Sequence, residues 1–260
     1  MAITIQNKTY TGIIFDVDDT LIDTSKSYDV AIKKTVKNLT NTEINDQQID
    51  IIRTNGIDYG VNNDWNVTWL LIQLIQNFPN EQWPNILQTN QIAKIDVQKH
   101  EYIEIKDFFQ DIYLGKPHFN GQGLIGTSET KIYSPKFFPT LKNYGIKMAV
   151  VTSRPTTEAM YTLRQVNNLV DNFIETDLVI SVGSKNASGK LIAEKPSPEP
   201  ILECLQRMQS QSVVYIGNST SDFIAAKNAG IDFIQVGNSQ INGANYIKLN
   251  NINDILRISN

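Results

Sequence analysis

Four short apolar runs restrict the fold of this sequence most, because each is followed at once by small or polar residues. The runs are rich in β-branched residues and end at four positions: Phe15, Val151, Ile216 and Val236. Runs this short and this apolar are typical of strands that are buried on both faces of a parallel sheet. Stretches with helical spacing separate them. This alternation predicts an α/β fold, a doubly wound parallel sheet with helices on both of its faces.

Three stretches in the second half of the chain carry the spacing or the end signals of α-helices. The first spans 157–169 and repeats apolar residues on one face, at Met160, Leu163, Val166 and Leu169. The second spans 198–208, with Pro200 early enough to lie in the first turn. The third begins at Ser219 and Thr220 as capping residues and stops at Gly230.

The region 25–132 differs from the rest of the chain, because it is poor in strand signals. Its clearest pattern is an amphipathic helix from Trp65 to Phe78. Four apolar residues define its buried face: Trp69, Leu70, Ile72 and Leu74. We therefore expect a mostly α-helical domain, 25–132, inserted into a core that is formed by 1–24 and 133–260.

Composition excludes several classes of function. The chain of 260 residues has 23 basic and 27 acidic residues and a net charge of −4, which gives no global attraction to nucleic acid or to anionic lipid. No apolar run approaches the ~20 residues that cross a bilayer, and the N-terminus does not read as a signal peptide. The single Cys204 allows no internal disulfide. We expect a cytoplasmic monomer or homodimer with no nucleic-acid or membrane partner.

Polar residues follow the predicted strands at the edge where reactive groups gather in an open parallel sheet. The segment 16–22 follows the first run, 152–155 follows the second, and 217–222 follows the third. Lys195 and Pro196 open the turn before a predicted helix. Together these segments bring several carboxylates, a hydroxyl and a lysine to one edge of the sheet.

Carboxylates that are crowded in this way repel one another unless a cation lies among them. Because the ligands are oxygens, with no thiol or imidazole, a hard cation is expected, and Mg²⁺ is the first choice. A carboxylate beside Mg²⁺ can attack a phosphoryl group, while a lysine and a hydroxyl neutralise and orient its oxygens. The inventory suits phosphate-ester hydrolysis.

The order of these motifs resembles the haloacid dehalogenase-like (HAD) hydrolase superfamily, and more closely its phosphoglycolate-phosphatase-type branch, subfamily IA. Four motifs carry the resemblance: Asp16-x-Asp18-x-Thr20, Thr152 at a strand end, Lys195-Pro196, and Gly217-Asn218-Ser219-x-x-Asp222. They cover roughly 10–24 and 140–237. The resemblance implies a Rossmann-like core with a type-1 helical cap, which is inserted directly after the first motif.

The resemblance also implies a role for each catalytic residue. Asp16 would be the nucleophile, and Asp18 the general acid and base. Thr152 would bind the phosphate through its hydroxyl and neighbouring amides. Lys195 would hold the phosphate and the Asp16 carboxylate together. The expected substrate is a small phosphorylated metabolite, hydrolysed through an aspartyl-phosphate.

Substrate and metal contacts follow from the same resemblance. Thr20, which supports the first loop, Ser153 and Arg154 are expected near the substrate. Arg154 either clamps an anionic substrate group or pairs with a helix carboxylate. Mg²⁺ is expected between Asp16, the main-chain carbonyl of Asp18, and the last motif with its two candidate ligands: Asn218 and Asp222.

One departure from the family pattern leaves alternatives open. The family usually has Asp where Asn218 stands, so one negative charge is missing and weaker metal binding is expected. The alternatives are a catalytically weak protein that binds a phosphate ligand for regulation, and a phosphotransferase or mutase. Asp18 argues against a dehalogenase, which needs no proton donor for a leaving alkoxide.

Overall fold

The computed structural model describes residues 2–61, 63–210, 212–241 and 246–258. The chain divides into two compact units, one formed by Met1–Asp23 with Thr130–Asn260 and the other by Thr24–Glu129. No helix in the described part of the chain combines the length and the apolar character that a membrane crossing needs.

A six-stranded sheet with every pairing parallel organises the first unit. Ten strands are described: β1 (Ile3–Ile5), β2 (Lys8–Tyr10), β3 (Gly12–Phe15), β4 (Ile22–Asp23), β5 (Thr130–Lys131), β6 (Lys147–Pro155), β7 (Val179–Val182), β8 (Val213–Gly217), β9 (Asp232–Val236) and β10 (Ile247–Leu249). The sheet order is β10-β9-β8-β3-β6-β7, and β1 with β2 and β4 with β5 form two small antiparallel pairs. The prediction of a parallel α/β sheet is confirmed.

The position of β3 matters most for function. The chain winds outward from β3 in both directions, through β6 and β7 on one side and through β8, β9 and β10 on the other. Ligands of open α/β sheets bind beyond the carboxyl ends of the strands where the winding reverses. All four residues of β3 are buried, so its carboxyl end lies at the centre of the core.

The second unit is helical in the residues that the structure describes. Its helices are α1 (Tyr28–Thr40), α2 (Asp46–Asn55), α3 (Asp64–Asn77), α4 (Trp83–Gln88), α5 (His100–Leu114) and α6 (Leu124–Thr127). Helix α1 packs against α3 and α5, and the rings of Tyr28 and Tyr113 stack with centroids 4.8 Å apart. The predicted helix from Trp65 to Phe78 is confirmed as α3, and its four predicted core residues are buried.

Helices of the first unit cover the parallel sheet. They are α7 (Phe137–Asn143), α8 (Thr156–Met160), α9 (Glu199–Met208), α10 (Thr220–Asn228) and α11 (Ile255–Ile258). A π-helix, Tyr161–Val166, continues from α8. The predicted helices at 198–208 and after Ser219 are confirmed as α9 and α10. Ser219 caps α10 by accepting a hydrogen bond from the Asp222 amide.

The single helix predicted at 157–169 is wrong in its length and its register. The chain forms α8, then the π-helix, and then leaves helical structure before Leu169. A π-turn adds a residue to each turn, so residues beyond it no longer follow the 3.6-residue spacing. Val166, expected on the buried face, is therefore 41% exposed, whereas Leu163 is fully buried.

Candidate active site

Asp16 is the first residue after β3, and the sheet fixes its backbone. Its amide donates a 2.8 Å hydrogen bond to the carbonyl of Ile216 at the end of the neighbouring strand β8. Its side chain is buried, with the residue 4% exposed. The nucleophile that the sequence predicts thus lies at the central carboxyl edge of the sheet.

A tight turn after Asp16 orients the first motif. The carbonyl of Val17 accepts hydrogen bonds from the amides of Thr20, Leu21 and Ile22, at 3.3, 2.9 and 3.0 Å. Asp19 adopts a left-handed conformation, φ +53°, which Asp tolerates better than most residues other than glycine. The hydroxyl of the fully buried Thr20 donates to Oδ2 of Asp16 over 3.3 Å. Thr20 therefore supports the nucleophile inside the loop.

Lys195 joins the first and last motifs. Its Nζ lies 2.6 Å from Oδ1 of Asp16 and 2.6 Å from Oδ1 of Asp222. The three side chains are at most 6% exposed. The structure therefore brings together residues that lie up to 206 positions apart, Asp16 and Asp222, through one buried ammonium group.

Asp222 is held by the first turn of its own helix α10. Its Oδ2 accepts hydrogen bonds from the amides of Asn218 and Ser219, at 3.2 and 3.0 Å, and from the Ser219 hydroxyl at 2.7 Å. The carboxylate approaches Gly217 so closely that a Cβ there would lie 2.7 Å from Asp222 Cγ. Glycine is therefore required at this strand end, and Asp222 anchors both the turn and Lys195.

Arg154 pairs with Asp18, a partnership that the sequence did not predict. Its Nε donates to Asp18 Oδ1 over 2.7 Å, and its Nη2 lies 2.5 Å from the same oxygen. The Arg154 side chain is 1% exposed and that of Asp18 is 31% exposed. Arg154 is thus a buried partner of the predicted general acid.

The carboxyl end of β6 carries the second motif. The register of β6 with β7 shifts between Val151 and Pro155. Alternation along the strand buries Thr152 and Arg154 and leaves Ser153 exposed on the other side. The hydroxyl of Thr152 accepts a 3.2 Å hydrogen bond from the Arg154 amide. No contact in the described part of the chain ties Ser153 to this cluster.

The comparison with known proteins identifies the family. The family model described as haloacid dehalogenase-like hydrolase matches residues 10–230. The chain belongs to the haloacid dehalogenase-like hydrolase family. The expectations of this family, and of an enzyme, are confirmed.

Several individual proteins are similar to this hydrolase. Phosphoglycolate phosphatase of Aquifex aeolicus (strain VF5) is 27% identical over 223 residues, which cover 84% of this chain and 80% of that protein. Phosphoglycolate phosphatase of Rhodobacter capsulatus is 30% identical over 118 residues, or 43% of this chain and 49% of that protein. The structure of phosphatase Tt82 from Thermococcus thioreducens has a TM-score of 0.62 at 23% identity and covers 86% and 92% of the two chains. That structural likeness concerns the fold.

Burial and charge set the electrostatics of the site in this HAD-like hydrolase. Burial raises the pKa of Asp16 to about 7, and the negative charge of Asp222 adds to the increase, while Lys195 opposes it. Burial also opposes charge on Asp222 and Lys195, but the ion pairs of Lys195 with Asp16 and with Asp222 outweigh it. The pKa of Asp222 is lowered, and that of Lys195 is raised well above its ordinary value. Lys195 therefore stays a cation over the whole physiological range.

The donor set at this edge suits a hard cation. Asp16, Asp18 and Asp222 supply three carboxylates, whereas the ion pairs just described hold two cations, Lys195 and Arg154. Burial is the main cause of the raised pKa of Asp16, and the negative charges of Asp222 and Asp18 add to it. Within the described residues no three His, Cys, Asp or Glu side chains converge as a metal site. A site here therefore needs carbonyl oxygens beside Asp16, and oxygen donors of this kind fit Mg²⁺.

Tyr215 is a site residue that sequence reasoning missed. Its hydroxyl lies 3.2 Å from Lys195 Nζ, 3.1 Å from Asp222 Oδ1 and 3.0 Å from the carbonyl of Val151. A tyrosine inside an otherwise apolar buried strand needs a polar partner for its hydroxyl, and this requirement was the available signal. The Tyr215 hydroxyl therefore holds Lys195 in place from strand β8.

Proposed function

We propose that this hydrolase is a Mg²⁺-dependent phosphatase that acts on small-molecule phosphate monoesters through an aspartyl-phosphate on Asp16. The observation that carries the proposal is the buried Lys195 ammonium, 2.6 Å from both Asp16 and Asp222, at the central carboxyl edge of the sheet. A nucleophilic carboxylate beside a fixed cation suits the charge that develops in phosphoryl transfer. The names of the two similar phosphatases support the same reaction class.

In the first step Asp16 acts as nucleophile. One of its carboxylate oxygens forms a bond to phosphorus while the bond from phosphorus to the leaving oxygen breaks. Asp18, in its protonated form, gives its proton to that leaving oxygen, so the product departs as a neutral alcohol. Lys195 offsets the negative charge of the transferred group, and the Thr152 hydroxyl donates a hydrogen bond to it. Thr20 holds Asp16 in place through its hydrogen bond to Oδ2.

In the second step Asp18 acts as the base. Its carboxylate takes a proton from a water molecule whose oxygen forms a bond to phosphorus, and the bond from phosphorus to Asp16 breaks. Inorganic phosphate leaves, Asp16 regains its carboxylate, and Asp18 is again protonated for the next cycle. The same side chain thus supplies and recovers the proton, and no other acid is required.

Asp16, the main-chain carbonyl of Asp18 and the side-chain carbonyl of Asn218 are the proposed Mg²⁺ ligands. When bound, Mg²⁺ supplies positive charge that offsets the charge of the phosphoryl group and of the carboxylates. Asp222, the fourth residue predicted for the metal, already accepts hydrogen bonds at both oxygens. We therefore propose that it contacts the metal through water and acts mainly through Lys195.

The remaining contacts concern the substrate. We propose that the helical unit Thr24–Glu129 is the cap that selects the substrate, a small phosphorylated metabolite. Ser153 stays a candidate contact because it is exposed at the strand end. A cytoplasmic location remains part of the proposal.

The test is phosphate release from p-nitrophenyl phosphate and from a panel of phosphorylated metabolites, with Mg²⁺ and with EDTA. The expected result is Mg²⁺-dependent release that Asp16→Asn abolishes. Asp171→Asn is the matched control, because it changes an exposed carboxylate in the same way. Ligand binding without turnover across the panel would support the regulatory alternative. Transfer of the phosphoryl group to an added alcohol in place of water would support a phosphotransferase.

A further inference from the structure

We infer that Arg154 is a positioning residue for Asp18, which holds one carboxylate oxygen and leaves the other to carry the catalytic proton. The inference rests on the proposed function and assigns to Arg154 a role that neither sequence alternative described. It identifies Oδ1 of Asp18 as the anchored oxygen and Oδ2 as the working oxygen.

The contacts of Asp18 divide its two oxygens. Both Arg154 nitrogens that reach the carboxylate, Nε at 2.7 Å and Nη2 at 2.5 Å, meet Oδ1. Across residues 2–61, 63–210, 212–241 and 246–258, no hydrogen bond is formed to Oδ2. A carboxyl group that transfers a proton needs one oxygen without a competing donor, and this arrangement supplies it.

A second contact holds the guanidinium group of Arg154. Its Nη1 donates a 2.7 Å hydrogen bond to the hydroxyl of Thr162, which is 1% exposed. Thr162 lies in the π-helix Tyr161–Val166, and π-turns occur frequently at functional sites. Arg154 lies where the register of β6 with β7 shifts, and the alternation of the strand puts its side chain on the same buried face as Thr152. Strand alternation and the contact with Thr162 in the π-helix therefore place one guanidinium group.

Burial argues against the alternative in which Arg154 clamps the substrate. With 1% of its side chain exposed, the guanidinium offers almost no surface to an incoming anion. Asp18, 31% exposed, is the member of the pair that reaches the solvent side. Keeping a charged guanidinium in the interior costs free energy unless its partners compensate. The structure places that charge where it orients Asp18.

Positioning of this kind affects leaving-group departure above all. A general acid contributes typically about 10²–10⁴-fold when it is correctly placed. The contribution is large for a poor leaving group, which needs the proton, and small for a good one. Phenyl phosphate and p-nitrophenyl phosphate are a matched pair of similar shape, and p-nitrophenol is much the better leaving group.

The experiment compares kcat/KM for these two phosphates in wild type, Arg154→Met, Arg154→Lys and Thr162→Val. Because kcat/KM reports the steps up to departure of the phenol, the later hydrolysis of the phosphoenzyme does not enter. We expect Arg154→Met to lower kcat/KM for phenyl phosphate about 10²-fold and that for p-nitrophenyl phosphate much less. Arg154→Lys restores part of the loss, and Thr162→Val shows the same selective pattern more weakly.

Arg164→Met is the control, since it removes a more exposed arginine from the same π-helix and is expected to leave both values unchanged. Equal losses on both phosphates in Arg154→Met and in Thr162→Val would overturn the inference while the proposed function stands. An increase in KM alone would overturn it in favour of substrate binding. A wild-type chain without turnover would contradict the proposed function itself. Thr162→Val, a small change, keeps the test decisive if Arg154→Met fails to fold.

Discussion

Lys195 and Asp222 form a buried ion pair with Nζ 2.6 Å from Oδ1, although they lie 27 residues apart, Lys195 in the turn before α9 and Asp222 in α10. The same ammonium group meets Asp16 at the same distance. The lysine therefore couples the stability of the core to the state of the nucleophile. Changes at either carboxylate are expected to appear both in unfolding and in catalysis.

Asp222→Asn tests the structural half of this coupling. The variant leaves Lys195 with one buried carboxylate and weakens the cap of α10, and breaking a buried pair costs about 3–5 kcal/mol. We expect the free energy of unfolding, measured by urea titration, to fall by about 3 kcal/mol or more. Asp171→Asn, at an exposed pair, is expected to change it by less than about 1 kcal/mol. Equal effects in the two variants would contradict the anchoring role of Asp222.

Tyr215→Phe tests the brace on Lys195. The change removes the hydroxyl that lies near Lys195, Asp222 and Val151 and leaves their buried polar atoms with one partner fewer. The expected loss of stability is about 1–3 kcal/mol, with a smaller fractional loss of activity than in Asp16→Asn. Tyr144→Phe, at an exposed tyrosine, is the control. A stability equal to that of wild type would show that the hydroxyl contributes nothing.

The raised pKa of Asp16 predicts that the stability of the metal-free protein depends on pH. Its pKa is raised in the folded state to about 7, so the protonated form favours folding. That stabilisation is complete below the ordinary pKa of 3.8 and is lost as the pH rises through about 7. Between these values wild type is expected to lose up to about 1.4 kcal/mol per pH unit relative to Asp16→Asn. Melting in EDTA from pH 4 to 8 measures this difference. A constant difference would contradict the raised pKa.

The variant Asn218→Asp tests the effect of restoring a negative charge to the proposed metal site. A carboxylate in place of an amide increases the charge that faces the cation, so the concentration of Mg²⁺ that gives half-maximal phosphate release is expected to fall several-fold. Calorimetric titration with Mg²⁺ is the direct check, and Asn228→Asp, at the far end of the helix that follows, is the control. Weaker or unchanged Mg²⁺ binding in Asn218→Asp would place the cation elsewhere.

The parts of the fold that were predictable share a strong local pattern. The runs that form β3 and β8 are short, apolar and buried on both faces, and such runs can be recognised as strands in the sequence. Strand β10 was missed because it has three residues, none of them fully buried. The N-terminal pair β1 and β2 was missed because its strands are equally short.

The candidate site also has a part that was predictable from the sequence and a part that was not. Asp16 and Lys195 lie 179 residues apart in the sequence, yet their meeting follows from a general rule, since the carboxyl ends of parallel strands share one edge. The same rule brings the segments of Arg154 and Asp18 to one edge, but it does not predict that the two side chains pair. Their pairing depends on the burial of Arg154 and on its contact with Thr162 in the π-helix, which tertiary packing decides.

The most direct measurement of the central claim is mass spectrometry of the enzyme after acid quenching during turnover of p-nitrophenyl phosphate with Mg²⁺. We predict one phosphoryl group on the peptide that contains Asp16 in wild type, and none in Asp16→Asn. Turnover by wild type with the phosphoryl group on another residue, or with Asp16→Asn equally active, would contradict the account.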